Sequence, residues 1–201
     1  MRVICQKQKA LESVRIAQHA ITSTTLPVLS YLLLHAREGV IEVQATNLET
    51  TICSLFEATV EEEGSVCLPG EKFYSILREL PEGRFYLETE ENKTFVKMGE
   101  ISFTLLGIPK EEFPETSKGG EVMFHLPQKT LLEVLAKTMF SAGQDEVRQN
   151  LNCILLEAET PMEEGDGKFA LRAVSTDGRR LSLFNLPEPA APASFKVLFP
   201  L

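Results

Sequence analysis

Few residues in this chain have the type and spacing to do chemistry. Ser175-Thr176-Asp177-Gly178-Arg179-Arg180-Leu181 gathers two hydroxyls, a carboxylate and two guanidiniums. A nucleophilic Ser or Thr needs a base within hydrogen-bond reach, and no histidine lies nearby in sequence. The same residues fit a tight turn that bonds its own backbone and runs, charges outward, into an apolar strand. Gln144-Asp145-Glu146-Val147-Arg148-Gln149-Asn150 is a second polar cluster, and it reads as a solvated connection between a helix and a buried strand. Gly165-Asp166-Gly167-Lys168 lacks the longer glycine spacing of a phosphate loop and reads as a hairpin turn. Glu163-Glu164-Gly165-Asp166 is acidic but lacks the alternating oxygen ligands of a calcium loop.

His19, His35 and His125 are isolated, the last two on strand-like stretches where a solvated or bonded imidazole is expected. Cys5, Cys53, Cys67 and Cys153 form no CxxC pair and have no histidine at ligand spacing. Each sits in an apolar, strand-like context, which predicts buried reduced thiols. No catalytic set, metal set or cofactor loop emerges, so the expectation is a non-enzyme without cofactors.

Charge narrows the classes further. The chain has 201 residues with 20 Lys+Arg against 29 Asp+Glu, a net charge of −9. A protein that grips DNA by releasing counter-ions carries a basic surface, so this balance argues against an ordinary DNA-binding domain. Hydrophobic residues make up 43%, enough for a real core. The longest apolar run, Leu26 to Leu34, is broken by Pro27 and Ser30 and falls far short of the ~20 residues of a spanning helix. The first residues, MRVICQKQKA, have no apolar core of signal-peptide length. A cytoplasmic address is expected.

Several elements must position these residues. Residues 109–121, PKEEFPETSKGGE, are a linker by composition and divide the chain into 1–110 and 121–201. A unit of about sixty residues recurs three times, beginning near residues 1, 64 and 121. Leu29 to Ala36 falls on Leu151 to Ala158, and Leu68-Pro69 before Phe73, Ile76 and Leu77 falls on Leu126-Pro127 before Leu131, Val134 and Leu135.

Each copy reads as a short strand, one amphipathic helix, then β-rich runs. Helical periodicity covers 9–22 (Ala10, Val14, Ala17, Ile21), 70–80 (Phe73, Ile76, Leu77, Leu80) and 128–141 (Leu131, Leu132, Leu135, Met139). Strands are predicted over Arg84–Thr89, Thr94–Met98 and Ile101–Leu106, with turns at Glu91-Asn92 and Gly99-Glu100. The fold class is α+β, with sheets carrying one helix per repeat on one face.

Seven collinear motifs carry a resemblance. They are Thr25-Leu26-Pro27-Val28-Leu29, Thr46-Asn47-Leu48-Glu49, Leu80-Pro81-Glu82-Gly83, Glu112-Phe113-Pro114, Phe124-His125-Leu126-Pro127-Gln128, Val147-Arg148 with Leu151-Asn152, and Thr176-Asp177-Gly178-Arg179-Arg180-Leu181. Laid over the repeats, they make the chain similar to the bacterial sliding-clamp family, the beta subunits of DNA polymerase III. The resemblance implies a DNA-clamp fold of repeated half-domains, helices inside and sheets outside. It assigns 1–115 to a first clamp domain and 116–201 to an incomplete second, mainly its first half, with the third absent.

The resemblance also implies a non-catalytic processivity factor. Two subunits join head to tail around duplex DNA, without reading its sequence, and tether the polymerase. Partners are the polymerase III catalytic subunit and the clamp loader, each docking through a short peptide. The implied peptide pocket includes Leu151, Thr176, Gly178, Arg179, Arg180 and Leu181. Its far wall comes from segments beyond residue 201, so weak peptide binding or none is expected of this chain. DNA-proximal positions are Ser23, Lys72, Arg148, Gln149 and Asn150, with Ser23 and Glu71 departing from the family's basic pattern. Phe103 and Leu105 fall at the subunit interface.

Other readings remain, a stand-alone clamp-derived adaptor or an enzyme domain with an unrecognised site. The three helical stretches carry six basic and four acidic residues, a net +2. The fourteen basic and twenty-five acidic residues elsewhere give −11. That sign suits a protein that encircles DNA without gripping it.

Overall fold

The computed structural model describes residues 1–21, 26–116, 125–144, 148–158, 171–186 and 194–201. They fall into two units, Met1–Lys118 and Gly119–Leu201. Ser23, Asp145-Glu146-Val147 and the acidic turn at 163–168 lie outside the described residues.

In the first unit the chain runs β1 (Arg2–Gln6), α1 (Lys7–Ala17), β2 (Tyr31–Arg37), β3 (Val40–Thr46), β4 (Thr51–Glu62), then β5 (Gly64–Pro69), α2 (Gly70–Glu79), β6 (Arg84–Glu90), β7 (Lys93–Met98) and β8 (Ile101–Leu106). A strand, a helix and three strands thus occur twice, and both helices leave their strand without a loop. The eight strands make one sheet of order β5-β2-β3-β4-β1-β6-β7-β8, all antiparallel.

The two copies exchange their first strands. β1 lies between β4 of its own copy and β6 of the other, with Cys5 opposite both Ala58 and Phe85. β5 pairs with β2 of the first copy along Tyr31↔Pro69 to Ala36↔Gly64. On its other side Cys67 N–H donates to the Ile108 carbonyl at 3.1 Å and Ile108 N–H returns a bond to Cys67 at 3.0 Å, so the sheet nearly closes. Gly107 permits this approach, because a Cβ there would sit 2.5 Å from the Cys67 carbonyl oxygen.

The helices lie side by side, with α1 against β4 and β3. Their inner faces bury Ala10, Val14, Ala17, Phe73 and Leu77 against Leu32, Leu34, Ile41, Val43, Leu68, Phe85, Leu87 and Val96. Each large side chain withdrawn in this way contributes about 1.5–3 kcal/mol. Polar ties join the copies: Lys7 N–H donates to the Gly83 carbonyl at 2.9 Å, Lys7 Nζ meets Glu82 Oε1 at 3.1 Å, and Gln18 Nε2 donates to the Gly70 carbonyl at 3.0 Å. The Gly83 carbonyl satisfies one of the orphan donors at the start of α1, which has no side-chain cap.

The second unit repeats half of this pattern. α3 (Gln128–Thr138) precedes β9 (Cys153–Ala158), β10 (Leu171–Thr176) and β11 (Leu181–Leu186), followed by β12 (Phe195–Pro200). The sheet order is β11-β10-β9-β12. Val134, Ile154, Leu156, Ala158, Leu171, Ala173 and Leu186 form its core.

Four expectations need correction. The first helix begins at Lys7 and ends at Ala17, then tightens into a 3₁₀ turn over Gln18–Ala20 that still buries Ala20. On α3 the sheet-facing residues are Val134 and Thr138, while Leu132 and Met139 face solvent. The rotation is fixed at the helix end: Thr138 Oγ1 donates to the Val134 carbonyl at 2.8 Å, buried Ser175 donates to the Thr138 carbonyl, and Ser182 Oγ donates to the Lys137 carbonyl at 2.6 Å. A threonine that satisfies itself within the helix can occupy a core position that periodicity assigns to leucine.

The cysteines also divide. Cys5 and Cys67 are buried, Cys153 is half-buried and Cys53 is exposed. The two-residue period of β4 puts Cys53 on the outward face with Leu55 and Glu57, opposite Phe56. Finally, His125 lies in irregular chain before α3 rather than in a strand. His35 does lie in a strand, and its Nδ1 bonds Ser65 Oγ at 2.6 Å.

Candidate functional site

The turn between β10 and β11 is built by two short side chains. Thr176 Oγ1 donates to the Arg180 carbonyl at 2.7 Å and accepts from Gly178 N–H at 3.0 Å. Asp177 Oδ1 accepts from both Arg179 N–H and Arg180 N–H at 2.9 Å. Asp177 Oδ2 accepts from Arg180 Nε, also at 2.9 Å. The Arg179 and Arg180 amides, more than the Arg180 guanidinium, hold the Asp177 carboxyl below its usual range against the opposing effect of desolvation.

Gly178 sits at φ +85°, the left-handed region that the turn requires. A Cβ there would lie 3.6 Å from Arg148 Nη1, so that guanidinium packs on the turn. The hydroxyls are therefore structural: Ser175 anchors α3 and Thr176 closes the turn.

The described ends of the polar segment before β9 are tied together. Gly143 N–H donates to the Leu151 carbonyl at 2.7 Å and Leu151 N–H donates to the Arg148 carbonyl at 2.9 Å. Beside it opens a cavity of about 950 Å³ lined by α3 (Ala136), the following turn (Met139, Phe140), the loop (Ala142, Gly143, Gln144, Asn152), the β10–β11 turn (Asp177, Arg180) and Leu201. It combines an apolar wall with one guanidinium and one carboxylate. Such an arrangement has room for an apolar side chain and charged groups to hydrogen-bond beside it.

Of the six residues assigned to a peptide pocket, Arg180 lines this cavity. Thr176, Gly178 and Arg179 belong to the same turn, exposed Leu181 begins β11, and half-buried Leu151 packs behind Gly143. Met139, Phe140 and Asp177 line the cavity without having been singled out as site residues. Met139 follows a helical period that assigned it to the core. Asp177 was legible as a turn former but not as the partner of Arg180.

The DNA-proximal positions are divided between the two units. Lys72 is exposed on α2 in the first unit. Arg148 and Asn150 are exposed in the second, where Gln149 opens a 3₁₀ turn over Gln149–Asn152. Arg148 also packs on the β10–β11 turn. On β8, Phe103 is 38% exposed, whereas Leu105 is 6% exposed and belongs to the core.

Among the described residues, no group of three or more His, Cys, Asp or Glu could hold a metal ion. No helix there is long and apolar enough to cross a membrane.

Residues 1–117 match the family described as DNA polymerase III beta subunit, N-terminal domain. The chain is 34% identical over 179 residues to the Beta sliding clamp of Salmonella typhimurium, covering 88% of this chain and 47% of the relative. It is 31% identical over 193 residues to the Beta sliding clamp of Pseudomonas putida, covering 94% and 50%. Among solved structures, the DNA polymerase III subunit beta from Pseudomonas aeruginosa superposes with a TM-score of 0.88 at 30% identity, over 100% of this chain and 54% of that one. A Pseudomonas aeruginosa DnaN sliding clamp bound to griselimycin superposes with a TM-score of 0.87 at 29% identity, over 100% and 53%. The chain spans about half the length of the curated relatives it matches.

Proposed function

The chain belongs to the DNA polymerase III beta subunit family, and on that premise we propose that it works as a DNA sliding clamp. In this reading it is a non-catalytic part of a ring that encircles duplex DNA. The ring closes as a head-to-tail pair and tethers the replicative polymerase.

The observation that supports this best is the exchange of β1 and β5 between two copies of one unit, with both helices side by side. Such a unit has a sheet outside and a helical layer inside, and repeated sideways it makes a curved wall. Residues 1–115 would be one complete segment of that wall, and 116–201 the first half of the next. A wall that surrounds DNA needs few phosphate contacts, which accommodates a net charge of −9. Ser23, Lys72, Arg148, Gln149 and Asn150 are the positions we place nearest the DNA, with Arg148 shared with the pocket turn.

We assign the cavity beside Asp177 and Arg180 to the docking of short peptides from the polymerase and the clamp loader. Griselimycin, bound by the Pseudomonas aeruginosa relative, is the corresponding probe here.

Retention on circular DNA tests the clamp function. The protein, loaded on a nicked plasmid with a bacterial clamp loader, should co-elute with the circle and be shed when a restriction enzyme linearises it. Equal retention on both forms would mean contact binding and sink the proposal.

A further inference from the structure

We propose that Asp177 is a positioning residue: it locks the Arg180 guanidinium in place at the cavity, so that its terminal nitrogens stand ready to bond an incoming peptide. This inference rests on reading the cavity as a peptide-docking site.

The two carboxylate oxygens have separate tasks. Oδ1 takes the Arg179 and Arg180 amides and shapes the turn, while Oδ2 takes Arg180 Nε alone. The Arg180 carbonyl is held at the same time by Thr176 Oγ1. Arg180 is thus fixed at its backbone and again at the inner edge of its guanidinium. The side chain is still 60% exposed, and its two terminal nitrogens extend beyond the contact with Asp177.

An arginine held in this way loses less rotamer freedom on binding than an untethered one. The apolar wall of Met139, Phe140 and Ala136 supplies area, and the oriented guanidinium supplies direction, bonding the carbonyls or carboxylate of the peptide. Exposed ion pairs contribute little to folding, so this contact is better explained by orienting Arg180 than by stabilising the turn.

Asp177→Asn separates the two tasks, since the carboxamide oxygen can still accept both amides while the charge that holds Nε is gone. On the 201-residue chain we expect an unchanged thermal midpoint and a displaced or exchange-broadened Arg180 Nε–Hε cross-peak in ¹⁵N NMR. Titrated with griselimycin, D177N should bind about threefold more weakly and R180A about tenfold more weakly. D177N/R180A should match R180A, because Asp177 acts only through Arg180.

A cross-peak unmoved in D177N overturns the proposal, whether or not griselimycin binds. So does a further threefold loss when D177N is added to R180A. If the cross-peak moves but R180A binds like the parent, the docking assignment fails instead and Asp177 merely orders an arginine.

Discussion

β5 and β12 each pair antiparallel with the first strand after a helix, and each ends on a proline opposite that strand's first residue. Pro69 faces Tyr31 and Pro200 faces Cys153. Their sequences are similar, Ser65-Val66-Cys67-Leu68-Pro69 against Lys196-Val197-Leu198-Phe199-Pro200. Their surroundings differ. Val66, Cys67 and Leu68 are 2%, 0% and 0% exposed, whereas Val197, Leu198 and Phe199 are 49%, 50% and 39% exposed. β5 is closed on its far edge by Ile108 and belongs to a core that α1 and α2 share. β12 is the last strand of its four-stranded sheet among the described residues. An apolar strand owes its stability to what covers it, and the strand itself does not specify the cover.

Matched truncations should expose this contrast most strongly. Leu68→Ala should cost about 2–5 kcal/mol in chemical denaturation, and Leu198→Ala under about 1 kcal/mol, because only the first leaves a cavity. Equal losses would show that β12 is covered in solution.

Next in size is the closure itself. Gly107→Val should cost about 1–3 kcal/mol and speed hydrogen exchange at the Cys67 and Ile108 amides, since its side chain meets the Cys67 carbonyl. Exchange unchanged at those two amides would rule out closure through Ile108. Without any substitution, exchange along Phe195–Pro200 should be faster than along Gly64–Pro69. Equal protection would remove the contrast.

The thiols give a gentler test. Burial pushes Cys5 and Cys67 up to about 12 from an ordinary value of 9.0, the latter also feeling Glu111 and Glu112. A raised thiol pKa means that the unfolded chain releases these protons first. Stability is therefore full below about pH 9 and falls as pH rises toward 12. Urea midpoints that are flat from pH 8 to 11 would contradict it. A thiol reagent at pH 8 should label exposed Cys53 in the folded protein and reach Cys5 and Cys67 only after unfolding.

Much of this fold can be read from residue spacing, and where reading fails the cause is physical. The repeat shows itself because Leu-Pro before a helix and apolar runs after it recur at regular distance. The stripe on α2 holds because Phe73 and Leu77 have no polar competitor. On α3 a self-bonding Thr138 takes the core position, and Leu132 and Met139 turn outward. Leu105 and Phe103 share a strand face, but only the extent of the sheet says which is covered. At the candidate site, Thr176 and Asp177 announce a turn by their chemistry. The contact of Arg148 with that turn is a product of the folded chain, since nothing local links residue 148 to residue 178.

The exchange of β1 and β5 also sets a schedule for synthesis. β1 leaves the ribosome first, yet its second neighbour, β6, begins at Arg84. At roughly 5–20 residues per second, β1 waits about 4–16 seconds for that second neighbour. Sequence separations of this size make for slow folding, so a nascent first unit has to keep an open strand edge from pairing elsewhere until β6 has been made.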